Sequence, residues 1–322
     1  MRLSALLFCM LAVAPAMAQD SYPGKPVKIL VPYGPGGATD IIARIVAQRL
    51  TESLGQTFLV ENRPGANGNL ALEAAAKAPP DGYTLLVGNV STNAINENIF
   101  AQQLQIKPSR DLAGIAKLVE IPHIVVASAS FPPNTIAELI AAAKKEPGKI
   151  NFASVGLGSY PHLDMERLMK AAGIELTHVP YKGGAGQAIP AMIAGEVQLA
   201  FFNMASLLPH IRSGRLKALA AIPAQRLPEL PNVPTLAEQG FPGIGTNAWQ
   251  GMFAPAATPK PVIDRLHGAV VAVLTRPEQK EGLAKQMMSV EVSQSPQEFT
   301  DLVRRETAAW GEFLREARIR ID

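Results

Sequence analysis

A chain of 322 residues, 48% hydrophobic and 18% charged, has the composition of a folded α/β protein and not of a disordered one. Its formal net charge of +3 comes from basic residues scattered without aromatic partners, which argues against nucleic acid as a partner. With Cys9 as the single cysteine no intramolecular disulfide can form, so stability must come from a sizeable buried core.

At the N-terminus Arg2 precedes the apolar run Leu3 to Val13, and small residues end in Ala16-Met17-Ala18. This is the layout of a cleavable secretory signal over residues 1–18; about 11 apolar residues are too few for a hydrocarbon core that takes roughly 20. Cys9 lies inside the apolar run and not behind a small-residue site, so no lipid anchor is expected there. The remaining chain is long enough for two domains of ordinary size.

Lys28 to Tyr33 reads as a buried strand running into Gly34-Pro35-Gly36-Gly37-Ala38-Thr39-Asp40. Ile41, Ile42, Ile45, Val46 and Leu50 then recur at helical spacing up to Gly55, a helix stop. A strand at Thr57 to Glu61, a turn at Pro64-Gly65, a helix at Leu70 to Lys77, a turn at 79–82 and a strand at Tyr83 to Val87 complete β-α-β-α-β. The same order returns with a strand at Ile150 to Ser154, a glycine loop at 155–161, and a helix carrying Leu163, Met165, Leu168 and Met169. A strand at Leu176 to Tyr181, a glycine turn at 183–186, a helix through Ile193 and a strand at Val197 to Phe202 finish it.

Two copies predict two α/β lobes, each a mostly parallel sheet flanked by helices, with a ligand cleft between them. Ile121 to Ser130 and Asn247 to Ala254 are β-rich runs suited to carrying the chain across and back. The helices around Pro261 to Leu274 and Gln297 to Arg318 then belong to the first lobe. The expected division is lobe 1 at 19–123 and 247–322 and lobe 2 at 124–246. Two domains in series is the alternative, because sequence does not fix the return point.

In open α/β sheets ligands bind beyond the carboxyl ends of the strands, where helix N-termini offer unpaired N–H groups and a dipole that favours anions. Gly36, Gly37, Ala38 and Thr39 occupy such an end in the first copy, and Gly156, Gly158 and Ser159 in the second. Ser91, Thr92 and Asn93 follow the third strand of the first copy, and Asn203 and Ser206 that of the second. Thr39, Asp40 and Ser159 equally suit the capping of their helices. The repetition of polar residues at corresponding ends predicts a small acid held between the lobes.

Rival chemistries fit the same residues less well. Gly156-Leu157-Gly158-Ser159-Tyr160-Pro161 approaches a dinucleotide fingerprint but ends in Pro161, and Tyr181-Lys182 offers no acid for a ribose. Phe152-Ala153-Ser154-Val155-Gly156 approaches a nucleophile elbow with Phe152 in place of glycine, so Ser154 reads as a strand-end polar residue. A serine hydrolase needs an oriented base, and no histidine can be paired with Ser154 or Ser159 from sequence. Among His123, His162, His178, His210 and His267 none forms an H-x-x-x-H pair, and His162 with Glu166 lacks a third ligand, so no metal and no cofactor are expected. His162 suits ligand contact, packing or capping, and Trp249 suits cleft wall or core.

Val31 to Asp40, Val60 to Ala66, Pro80 to Leu86, His178 to Gly183 and Phe253-Ala254-Pro255, with Tyr22-Pro23 and Lys25-Pro26-Val27 ahead of them, resemble segments of the Bug-type substrate-binding proteins of tripartite tricarboxylate transporters. The resemblance spans essentially the mature chain. It implies a type II periplasmic-binding-protein fold, a location in the periplasm, and a monomer that closes on a carboxylate without catalysis. The ligand would pass to integral membrane transporter subunits; a sensor presenting it to a signalling partner would use the same residues. The resemblance puts the carboxylate between Gly36 to Thr39 and Gly156 to Ser159, with selectivity after the third strands and around Tyr181 to Gly183. This chain departs from the family pattern at Phe202, before Asn203, and at Tyr160-Pro161. With Tyr33 these residues predict an aromatic rim and an aromatic carboxylate or dicarboxylate as ligand.

Overall fold

The structure, a computed structural model, describes residues 22–246 and 248–316. The expected signal peptide, Asn247 and the last six positions, 317–322, lie outside the described residues. The chain begins with β1 (Val27–Val31), α1 (Ala38–Leu54), β2 (Phe58–Asn62), α2 (Asn69–Ala76) and β3 (Thr84–Asn89). Short α3 (Asn96–Ile99) and α4 (Pro108–Asp111) lead to β4 (Leu112–Ile121) and, across Pro122, to β5 (His123–Ser128). The second unit holds α5 (Ile136–Lys145), β6 (Asn151–Ser154), α6 (Tyr160–Ala172), β7 (Thr177–Pro180) and α7 (Ala185–Ala194). It ends with β8 (Leu199–Asn203), α8 (Met204–Arg212) and β9 (Leu216–Ala221). Then come β10 (Ala248–Pro255), α9 (Lys260–Leu274), α10 (Pro277–Ala284), β11 (Ser289–Val290) and α11 (Pro296–Glu316).

Local chemistry sets these boundaries. In α1 the buried Ile42, Val46 and Leu50 form one stripe at helical spacing, and Gly55 ends the helix in the left-handed region at φ 70°. Thr135 caps α5 by accepting the Glu138 amide, satisfying a donor that the first turn leaves unpaired. The β-rich run read at 121–130 holds β5, and Pro122 separates it from β4, which ends at Ile121, since proline cannot donate to a ladder.

The strands form two sheets, in the orders β11-β4-β10-β3-β1-β2 and β7-β6-β8-β5-β9. Apart from the β11 edge the orders correspond. Each sheet is parallel over its βα units, β2-β1-β3 in one and β7-β6-β8 in the other. Each turns antiparallel at the strand delivered from the other unit, β10 in the first and β5 in the second. The mostly parallel sheet expected from the sequence thus describes β1, β2 and β3 in one lobe and β6, β7 and β8 in the other, and crossing strands make the whole mixed. The passes run side by side, with Ile121 of β4 paired to Ala248 of β10.

Each sheet is packed on both faces. In the first, α1 and α9 cover one face through Ile42, Val46, Leu266 and Val270, while α2 and α11 cover the other through Leu72, Phe299 and Val303. Trp249 belongs to this second layer: it lies edge-on to Phe299, 5.4 Å between centroids, and its indole N–H donates to Glu306 at 2.8 Å. In the second sheet α7 and α8 cover one face and α5 and α6 the other. Among the described residues no helix is long and apolar enough to cross a membrane.

Candidate ligand-binding site

The carboxyl ends of β1, β3, β6 and β8 meet where the lobes face each other, and the lobes touch there. The Gly34 amide of the β1–α1 loop donates to the Gly183 carbonyl at 3.1 Å. The Tyr160 amide at the start of α6 donates to Ser91 Oγ at 3.0 Å. Asn67 lies against Gly156, and Pro35 against Gly186, both so close that a Cβ on either glycine would overlap its neighbour.

In the first lobe Asn89, at the end of β3, is the hub. Its Oδ1 accepts the amides of Ser91 and Thr92 at 3.0 and 3.3 Å and the Tyr33 hydroxyl at 3.3 Å, and its Nδ2 reaches Thr39 Oγ1 at 3.4 Å. Thr39 in turn donates to Gln250 of β10 at 2.8 Å. Thr92 donates to Asn93 Oδ1 at 2.7 Å, while the buried Asn93 Nδ2 has no acceptor among the described residues. Burial pushes Tyr33 up to about 12, against bonds from Asn89 and Ser91, so it is a neutral hydrogen-bonding phenol. The sequence reading named Ser91, Thr92 and Asn93 but not Asn89 or Gln250.

The helix that follows is open at its start. Gly37 is the N-cap of α1 in extended conformation, and among the described residues no side chain caps it. The amides of the first turn, Ala38 among them, therefore have no intrahelical acceptor. Gly36, at φ 87°, gives its own amide to Asp40 at 3.0 Å. Burial works against ionisation of Asp40, but bonds from Arg44, Asn62 and the Gly36 amide outweigh it and hold its carboxyl below the ordinary range. With Arg44 at 2.9 Å, Asp40 is a neutralised loop clasp and not a ligand group.

The second-lobe loop is bonded to itself. Gly156 and Gly158 sit at φ 141° and 77°, the region glycine tolerates best. The Gly158 amide donates to His162 Nδ1 at 3.0 Å, and both the amide and hydroxyl of Ser159 donate to the Gly156 carbonyl, at 3.2 and 2.6 Å. His162 must then carry its proton on Nε2, which faces Glu166 at 3.5 Å. Tyr160 is buried; its hydroxyl donates to His123 Nε2 at 2.7 Å, because His123 Nδ1 faces the Thr246 carbonyl at 3.0 Å and must hold the proton there. Burial pushes the Tyr160 phenol up and His123 down to about 4, so both are neutral.

Three sequence readings need correction. Phe202 is 1% exposed and packs with Ile124 and Met204 under α7 and α8; strand alternation turns it away from the side used by Asn203. Tyr181 lines an outer groove with Lys182, Gln187 and Pro190 and is not brought to the cleft. Of the expected aromatic rim, only Tyr33 and Tyr160 are at the site, both committed to internal hydrogen bonds. Asn203 is there, but as the N-cap of α8, accepting the Ser206 amide at 3.0 Å.

The third correction concerns Ser154. A histidine does pair with it: His178 Nε2 lies 2.6 Å from Ser154 Oγ, His178 stacking on Phe152 and, at 4.0 Å between centroids, on His162. Ser154 is fully buried; its hydroxyl donates to the Gly156 carbonyl at 2.9 Å and accepts the Gly156 amide at 3.0 Å. With that single proton committed, the nitrogen facing Ser154 is N–H and a donor, the opposite of a general base. Burial and the neighbouring His162 also push His178 down to about 3. Ser154 is a brace for the loop.

Two corresponding lobes, joined by paired crossing strands and meeting over a buried polar centre between a glycine loop of each, have the architecture of a two-lobed ligand-binding protein. The family model described as tripartite tricarboxylate transporter family receptor matches residues 42–319, and the chain belongs to that family. Three solved structures are similar along nearly their whole length. Rpa4515 of R. palustris, solved with adipate, is 32% identical with TM-score 0.88, over 93% of this chain and 99% of that one. MatC (Rpa3494) from Rhodopseudomonas palustris, solved with bound malate, is 32% identical with TM-score 0.85, over 90% and 99%. The periplasmic binding protein BugD is 32% identical with TM-score 0.85, over 93% and 99%.

Proposed function

We propose that this chain is the exported receptor of a tripartite tricarboxylate-type transporter, that it captures a small dicarboxylate between its lobes, and that it hands the closed complex to integral membrane subunits. The observation that carries the reading is the uncapped N-terminus of α1, set in a loop already bonded to the second lobe at Gly183. A carboxylate there meets several amides and the helix dipole at once. Tyr33, Thr39, Ser91 and Asn203 surround the same centre without adding a charge. The structures solved with adipate and malate support a dicarboxylate as the class.

Closure follows from differential affinity. A ligand that touches both lobes stabilises the closed form by the contacts it makes only there. The lobes are taken as 19–123 with 247–322, and 124–246; sheet membership supports this division, with His123 opening β5 at the crossing. Residues 1–18 serve as the export signal. The protein acts as a monomer without cofactor, and the donor role of His178 toward Ser154 supports binding over hydrolysis. A thermal-shift screen of the mature chain against mono-, di- and tricarboxylates, aliphatic and aromatic, tests the reading. A dicarboxylate recovered unchanged and raising Tm by several degrees is expected; no shift with any acid would overturn it.

A further inference from the structure

A second cavity, of about 490 Å³, opens beside the β1–α1 loop. Pro35 and Gly36 of the first lobe form one wall, Ile189 and Ile193 of α7 an apolar floor, and Ser206, His210 and Arg215 a polar end. Two polar atoms here have no partner among the described residues. Ser206 is 5% exposed, and its hydroxyl makes no hydrogen bond; His210 Nδ1 is likewise buried and unbonded. Buried polar groups without partners are uncommon in folded proteins, and each costs stability unless something binds it. Neither is needed for α8, whose N-cap is Asn203.

The third polar group is a cation. Arg215 is exposed; its Nε donates to Ser213 at 3.1 Å, and among the described residues it makes no salt bridge. Burial and the nearby Arg215 charge lower the basicity of His210, which suits it to donate from Nδ1 as a neutral ring. A hydroxyl, an imidazole N–H and a guanidinium converging beyond an apolar floor are the donors for an anionic group on a hydrocarbon stem.

We infer that this cavity is a distal subsite that takes the far carboxylate of an elongated α,ω-dicarboxylate. The inference rests on the reading of the cleft given above. Asn203, at the polar centre, and Ser206 and His210 lie on successive turns of α8, and seven residues of helix rise about 10 Å. An acid as short as succinate fills the centre alone. A longer diacid lays its methylenes along Ile189 and Ile193 and reaches Arg215. Because Pro35 and Gly36 close the cavity from the first lobe, a ligand in it also holds the lobes together.

Calorimetric titration of the full mature chain with succinate, adipate, suberate and sebacate, and with octanoate as the one-headed match to suberate, tests the assignment. Suberate is expected to bind at least about tenfold tighter than octanoate, the worth of one charge-assisted contact. Arg215→Gln, at an exposed position that leaves the fold intact, should remove that margin and leave succinate binding unchanged; Ser206→Ala should reduce it in the same direction. Equal affinity for suberate and octanoate, or equal losses of succinate and suberate in Arg215→Gln, would overturn the subsite while leaving the cleft reading in place. Failure of all the acids to bind would overturn both.

Discussion

The two glycine loops occupy corresponding places in corresponding lobes, yet their donors are spent differently. In the second lobe Gly158 gives its amide to His162, Ser159 to Gly156, and Tyr160 to Ser91, while Pro161 has no N–H to give. In the first lobe Gly36 bonds Asp40, but the N-terminus of α1 carries no side-chain cap. Similar sequence grammar has produced one loop that leads into uncapped first-turn amides and one whose Gly158, Ser159 and Tyr160 amides are already bonded within the protein. A proline in the first turn of α6 is consistent with this, since the first turn is where a helix least needs its N–H and a ligand most would.

The largest expected effect tests how the second lobe approaches the first-lobe loop. Gly186 lies within α7, where alanine is a better helix former by about 1 kcal/mol, but a Cβ there would overlap the Pro35 carbonyl. Gly186→Ala should keep or raise the Tm of the free protein and weaken ligand binding by on the order of 100-fold, because closure is blocked. Unchanged affinity would show that the closed contact is not needed.

The next effect tests how the second-lobe loop is anchored to the hinge. His123 is fully buried and held down to about 4, whereas in the unfolded chain it titrates near ~6.5. Between those values the unfolded chain binds more protons, so stability present above about pH 6.5 is lost as pH falls through about 4, approaching about 3 kcal/mol. Asp164, pushed up to about 7 by burial against its bonds to Thr246, acts in the opposite sense over this window. Urea unfolding from pH 7 to 4 should therefore compare wild type with His123→Gln, which should show a shallower acid loss; parallel curves would remove His123 from the account. Smaller again, Tyr160→Phe leaves His123 Nε2 buried without its donor and should cost about 1–2 kcal/mol at pH 7 with little change in ligand Kd.

The order of elements within the two β-α-β-α-β units was legible because it is local: buried stripes at helical spacing, glycine stops such as Gly55, and turns such as that at 79–82. The hub at Asn89 was not. The apolar run that marks this strand in the sequence ends at Val87, and pairing of Gly88 and Asn89 with Gly251 and Gln250 of β10 carries β3 to Asn89. Ser154 and His178 are separated in sequence by the whole of α6; parallel register sets Phe152 beside His178, so Ser154, two residues on, shares their face. Phe202 and Asn203 were both assigned to the cleft although neighbours on a strand point to opposite faces. Non-local pairing and facing, not composition, decide which polar residues converge.

The carboxylate is proposed to be held by the amides that open α1 and not by the second-lobe loop at Ser159. Ala38 is the first residue of α1, and Gly37 before it, at φ −82° and ψ 163°, already has the backbone a following proline requires. Ala38→Pro thus deletes one amide at a position where proline suits a helix. Titration of the tightest acid from the panel into Ala38→Pro and into Ser159→Ala is the direct measurement. The expected result is a loss of at least about tenfold for Ala38→Pro at near-native Tm, one charge-assisted bond being worth that much, and a change under about threefold for Ser159→Ala. Native affinity in Ala38→Pro together with a large loss in Ser159→Ala would contradict the account.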